Sequence, residues 1–221
     1  MTVVPLQPVE MRPGSLTDIA FDRIREAIVN RSLLPGARVS ESMLAGMLHV
    51  SKTPVREALL RLCYIGLVEP SGRGLRVVMP NREIIQEVYE LRSGIEADGA
   101  MRAARRADAF QRKLIAESAE LSLERAKLRD SRGFAEWDTK FHLAVAEGTG
   151  NKLQAQLIEN AVILAFALRS RDVITIDDSA KCGADHVHIA EAIAAGAEAD
   201  AQHLMYEHII EAMELVLSFA D

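Results

Sequence analysis

Five of the six histidines fall after residue 140, and helical phase sorts them. Asp138 and His142 are four apart, one helical turn, on a stripe with Phe134, Phe141 and Val145. His186 shares a stripe with Ile189, Ala190 and Ile193. His208 shares one with Ala201, Leu204, Met205, Ala212, Leu215 and Phe219. Each of these four polar side chains interrupts an inward apolar face. A buried carboxylate and three imidazoles must find partners or carry a large desolvation cost. One divalent cation satisfies all four. Three nitrogens and one oxygen suit Zn²⁺ first, and Ni²⁺, Fe²⁺ or Mn²⁺ also fit. Any single one of them is more simply a hydrogen-bonded core residue; four in phase on three helices favour a metal. His188 and His203 fall off these stripes and are left out.

A second constellation suits a different chemistry. Lys52 and Arg56 are four apart and roughly opposite Leu59 and Leu62, so both point outward while the helix packs. Arg56 offers a two-pronged fork to a guanine edge. Ser51 and Thr53 add short hydroxyls, and a helix N-terminus adds N–H groups facing phosphate. Arg73, between two glycines, can reach a groove or the backbone. The plain alternative is an amphipathic helix with solvated charges.

The elements that must hold these residues can be read from pattern. Residues 1–14 are Pro-rich and read as a flexible arm. Ser15 can cap a helix that Leu34-Pro35-Gly36 stops. A short helix follows Ser40, with Met43, Leu44, Met47 and Leu48 as its expected buried side. His49-Val50-Ser51 reads as a tight turn. Thr53 is then expected to cap a third helix with Pro54 at its first position, burying Val55, Ala58, Leu59 and Leu62 and ending at Gly66. Two β-prone runs, Leu67–Glu69 and Leu75–Val78, flank a Gly-rich turn and read as a hairpin. Three helices and a hairpin predict a winged helix-turn-helix over 15–79. From Arg82 onward the pattern predicts six helices, near 82–106, 108–130, 132–147, 151–171, 179–195 and 197–219. Short connections between them imply an all-α antiparallel bundle over 80–221. The expected fold class is mainly α.

Composition narrows the partners. Nearly half the residues are hydrophobic and only 5% aromatic, which favours helix over sheet. Residues 1–80 carry ten Lys/Arg against seven Asp/Glu, and 81–221 sixteen against twenty-five. A head of +3 on a body of −9, net −6, fits a DNA module joined to something else. Cys63 and Cys182 lie far apart without a CxxC spacing, so a disulfide scaffold is not expected and a reduced cytoplasm is. Neither a signal peptide nor an apolar run long enough for a membrane span is visible.

The run Val50-Ser-Lys-Thr-Pro-Val-Arg-Glu-Ala-Leu59, with Arg61-Leu62 and Gly66-Leu67-Val68, resembles the GntR family of bacterial transcription regulators from about Ser15 to Val78. Members usually carry Arg where Lys52 stands, so Lys loses the two-pronged contact there. Asp138-Thr-Lys-Phe-His142, Gly150-Asn151, Asp185-His186, Ala192-Ile193 and His208 resemble the FCD ligand-binding domain of the FadR-type branch. Glu90-Leu-Arg92 with Glu96 resembles its start. The resemblance implies a helical bundle whose metal-binding members use one Asp and three His. It also implies a small carboxylate effector anchored on the ion. Arg92 would pair with the effector's acid group, with Arg169 as a weaker candidate; the plain role of Arg92 is a salt bridge to Glu96. Relatives that respond to acyl-CoA dispense with the metal, and four retained ligands argue against that here.

The expected function is therefore a ligand-responsive DNA-binding repressor, acting as a homodimer on a palindromic operator in the bacterial cytoplasm. One alternative is a DNA-binding dimer whose metal is purely structural. Another is a metal-dependent enzyme, since two His and a carboxylate also mark non-haem iron oxygenases. No nucleophile–base motif, phosphate loop or dinucleotide fingerprint supports an enzyme.

Overall fold

The computed structural model describes residues 16–169 and 176–219. The expected arm over 1–14, Ser15 as a cap and the last two residues of the expected helix 151–171 lie outside the described residues. The chain divides into two compact units, Met1–Val78 and Met79–Asp221.

In the first unit, α1 (Leu16–Val29), α2 (Glu41–Leu48) and α3 (Lys52–Tyr64) are joined by a three-stranded sheet. Ile24 and Ile28 of α1 are buried, with Val55, Leu59 and Leu62 of α3, where α1 and α3 pack together. Ser40 caps α2 by accepting from the Met43 amide. His49, at φ 54°, ends it in the left-handed conformation and makes the turn into α3. Three details differ from the sequence reading. Met43 and Met47 are exposed, and Leu44 with Ala45 forms the buried side of α2. Ser51, not Thr53, is the N-cap of α3. Pro54 therefore sits third in the helix, still among the amides with no partner inside it. α1 also ends before Leu34, at Val29, and Arg31 takes φ 65° just after it.

The wing is β2 (Val68–Ser71) and β3 (Gly74–Val77), paired antiparallel with Ser71 opposite Gly74. Gly72, at φ 61°, and Arg73 make the turn. A third strand, β1 (Arg38–Val39), pairs with the other edge of β3 and gives the order β1-β3-β2. At two residues it carries no alternation that sequence reading could detect.

The second unit is all helix: α4 (Arg82–Arg106), α5 (Ala109–Lys127), α6 (Ser131–Gly148), α7 (Lys152–Leu168), α8 (Ile176–Ala195) and α9 (Glu198–Leu217). Asn81, Asp108, Asp130 and Asn151 each accept an amide of the first turn, which fixes where α4, α5, α6 and α7 begin. α4 runs along α9, and α5 packs against both α6 and α8.

The α5–α8 approach depends on one glycine. A Cβ on Gly183 would lie 2.7 Å from Leu123 Cα, a backbone atom that cannot swing aside. Gly183→Ala is expected to push α8 off α5 at a cost of about 1–3 kcal/mol. Chemical denaturation checks this; unchanged stability would mean the two helices are not held at this distance.

Candidate metal centre and nucleic-acid interface

Four helices aim polar atoms at one buried point. Asp138 and His142 come from α6, His186 from α8 and His208 from α9, and all four are at most 4% exposed. Asp138 Oδ1 lies 3.3 Å from His186 Nε2 and 3.8 Å from His142 Nε2. His186 Nε2 and His208 Nε2 face each other at 3.2 Å. The fourth helix is α4, which supplies Glu96. His142 Nε2 has no hydrogen-bond partner among the described residues.

Outer partners fix which nitrogen of each ring carries the proton. Ser122 has one O–H, and it is donated to the Ala119 carbonyl at 2.8 Å. Its oxygen, 2.9 Å from His186 Nδ1, must therefore accept, so His186 is protonated on Nδ1. Glu96 Oε2 lies 2.6 Å from His142 Nδ1. The angles there are outside those of a formed hydrogen bond, but a carboxylate so close requires the proton on Nδ1. Asp185 Oδ2 stands 3.7 Å from His208 Nδ1 and acts in the same sense. His186 and His142 thus turn a bare Nε2 lone pair inward, and His208 does the same when its Nδ1 proton faces Asp185. With both protons on Nδ1, the two Nε2 lone pairs at 3.2 Å repel unless a cation lies between them. A histidine that ligates through one nitrogen and is held through the other is the usual arrangement around a protein-bound metal.

Electrostatics agree. Burial pushes His186 well below the ordinary imidazole value, and the neighbouring His208 and His142 add to the shift. Burial also lowers His208, against the opposing pull of Asp185. Both rings are held in the neutral form that metal binding needs. Burial alone would raise Glu96, but the Arg92 charge and His142 outweigh it and hold the carboxyl at about 2.

Arg92 and Arg169 occupy different positions. Arg92 is fully buried, and its Nε donates to Glu96 at 2.6 Å. Its Nη1 and Nη2 have no hydrogen-bond partner among the described residues. Arg169 donates to the Tyr89 hydroxyl at 2.8 Å and to Asp138 Oδ2 at 3.3 Å, so it holds the acid's second oxygen. Burial would lower its pKa, but Tyr89 and Asp138 raise it further, so it stays a cation. His188 and His203 are exposed, away from the centre. Sequence reasoning missed Ser122 and Cys182. Cys182 stands one helical turn before His186, a spacing that could have drawn attention to it.

A cavity of about 110 Å³ adjoins the centre, lined by Phe134, Arg169, Lys181, Cys182, Asp185 and His208 among others. Pockets for drug-sized molecules run to about 300–1,000 Å³, so this one suits a ligand of a few heavy atoms.

In the first unit, Ser51, Lys52, Thr53 and Arg56 are all exposed on the opening turns of α3. Arg61, further along, is committed elsewhere: it bonds Asp18 at 2.7 Å and lies over the Phe21 ring. Lys52, Arg56 and Arg73 make no ion pair among the described residues. Arg73 is exposed at the wing tip.

A winged helix-turn-helix head joined to a helical bundle defines a class of DNA-binding transcription regulators. Residues 16–77 match the family model described as bacterial regulatory proteins, gntR family, and residues 87–211 match the FCD domain. The chain belongs to the GntR family of transcriptional regulators and carries an FCD domain. It is 33% identical over 180 residues to a Paenarthrobacter nicotinovorans protein named as a probable D-xylose utilization operon transcriptional repressor, covering 79% of this chain and 76% of that one. It is 28% identical to the Escherichia coli transcriptional repressor RspR over 71% of this chain and 66% of that one. Among solved structures, E. coli McbR/YncC superposes with a TM-score of 0.81 at 19% identity, over 93% of this chain and 99% of that one. A GntR regulator from Rhodococcus sp. RHA1 gives 0.74 at 27% identity, over 93% and 99%. No helix among the described residues is long and apolar enough to cross a membrane.

Proposed function

We propose that this chain is a metal-assisted repressor that senses a small carboxylate and releases or retains operator DNA accordingly. The observation that carries this is the set of three imidazole Nε2 atoms gathered with one carboxylate oxygen, within reach of a cavity sized for a small molecule. Asp138, His142, His186 and His208 would hold a divalent cation, Zn²⁺ before Ni²⁺, Fe²⁺ or Mn²⁺. Bound there, the ion supplies a Lewis-acidic anchor for a carboxylate. Arg92, which does not line that cavity, brings two buried NH₂ groups without hydrogen-bond partners among the described residues, donors that an anionic ligand reaching further into the centre would satisfy. Arg169 orients Asp138 and lines the cavity, so it can touch the ligand as well.

In this reading Ser51, Lys52, Thr53, Arg56 and Arg73 contact the operator, and two copies in the bacterial cytoplasm bind a palindrome as a homodimer. The effector acts only through unequal affinity for two packings of the bundle. Operator affinity is expected to fall linearly, on logarithmic axes, with salt, at a slope of about −0.9 per phosphate contacted. A flat profile in a filter-binding or anisotropy titration would exclude phosphate contacts by this head.

The direct test of sensing is a thermal-shift screen of small carboxylic acids against zinc-loaded and chelator-stripped protein. An acid that stabilises only the loaded form is expected. If chelation alone lowers the midpoint and no acid does anything, the purely structural metal is the better reading.

A further inference from the structure

Besides the four side chains assigned above, the centre holds a sulfur. Cys182 Sγ is 3.6 Å from Asp138 Oδ1 and 3.8 Å from His186 Nε2. Asp138, Cys182 and His186 form one group of mutually close donor atoms, and His142, His186 and His208 form another, with His186 common to both. An ion held by five donors, with about 2.3 Å bonds to sulfur and about 2.0–2.1 Å bonds to nitrogen and oxygen, sets neighbouring ligands roughly 2.9–3.8 Å apart, according to whether they subtend about 90° or about 120° at the ion. The His186–His208 and Asp138–His186 separations, 3.2 and 3.3 Å, fall within that range. The two sulfur separations, 3.6 and 3.8 Å, fall at its long end, as the longer bond to sulfur requires. The spacing along α8 favours ligation too. Cys182 precedes His186 by one turn, so both side chains project from the same face. Gly183, the next residue, is what lets that face approach α5.

We infer that Cys182 is a fifth donor to the ion, binding as a thiolate on the side where the cavity opens. This rests on the metal centre proposed above. As the metal–sulfur bond forms, the S–H proton leaves to solvent. A thiolate among imidazoles and a carboxylate selects thiophilic ions such as Zn²⁺ and Co²⁺ over Mn²⁺ or Mg²⁺, which prefer oxygen. Lining the cavity as well, the sulfur is the ligand positioned to be exchanged for, or to contact, an incoming carboxylate.

Cobalt substitution tests this on the full chain. Stripped protein is titrated with Co²⁺ and followed for visible d–d bands, which report binding, and for near-ultraviolet sulfur-to-cobalt charge transfer, which reports thiolate ligation. Wild type and Cys63→Ser are expected to show both; Cys182→Ser and Cys182→Ala are expected to keep the d–d bands and lose the charge transfer. Zinc affinity of the Cys182 variants is expected to weaken by at least the roughly tenfold that loss of an outer partner costs, with Mn²⁺ affinity little changed. Charge transfer that survives in Cys182→Ser, or is missing from wild type despite d–d bands, overturns the thiolate and leaves the four-ligand centre standing. No cobalt uptake at all overturns both. A measurement on the unaltered chain guards against misfolded variants: metal should slow alkylation of Cys182 but not of Cys63. Equal rates with and without metal also overturn the proposal.

Discussion

Replacing His186 with alanine is expected to abolish stoichiometric metal binding while the chain stays helical. His186 is the hinge of the site, lying 3.3 Å from Asp138, 3.2 Å from His208 and stacked on Phe141 at 4.2 Å. Outer partners alone are worth about 10–100-fold in affinity, so loss of the ligand itself should exceed roughly 100-fold. The second consequence is on stability. An ion at about a thousand times its Kd stabilises the folded state by about 4 kcal/mol, on the order of 10 °C for a chain of this size. Chelation should therefore lower the wild-type midpoint by that much and leave His186→Ala unmoved. Elemental analysis and a melting curve, each with and without chelator, check both. Full metal content in the variant would remove His186 from the centre.

Arg56→Ala is expected to weaken operator binding by about 1–3 kcal/mol and to relax the base preference at one position of each half-site. The expectation rests on a contrast within α3. Arg61 is spent on Asp18 and Phe21 and holds α1 in place. Arg56 is exposed on the opening turns, without an ion pair among the described residues. Arg61→Ala should therefore lower the stability of the head, whereas Arg56→Ala should leave it within about 0.5 kcal/mol of wild type. Parallel anisotropy and denaturation measurements separate the two. Unchanged operator affinity in Arg56→Ala would mean that α3 does not read DNA through this residue.

The bundle was legible in the sequence because its helices are long and their caps are polar side chains at fixed offsets. The predicted 82–106 coincides with Arg82–Arg106, and the other expected helices overlap their observed counterparts. Short elements were not legible. Two residues of β1 hold no period, and eight of α2 let Met43 and Met47 look inward when they are not. At the centre, phase alone placed Asp138, His142, His186 and His208 inward. Arg92 ranks ahead of Arg169 in the sequence reading as a partner for the effector, but nothing in the helical pattern says what either cation touches. Only the contacts tell Arg169, which holds Asp138, from Arg92, which keeps two NH₂ groups without hydrogen-bond partners among the described residues. Ser122 and Cys182 escaped because a serine or cysteine on a buried face of a helix is ordinarily a packing residue. Ser122 takes its meaning from His186 of α8, and Cys182 from Asp138 of α6.

Metal-dependent sensing is tested most directly by operator affinity, measured with a panel of small carboxylic acids on zinc-loaded and on chelator-stripped protein. At least one acid is expected to change the affinity of the loaded protein about tenfold or more, a coupling of about 1.4 kcal/mol, and to do nothing to the stripped protein. An acid that acts equally on both forms, or a panel that leaves the loaded protein's grip on DNA unaltered, would contradict it.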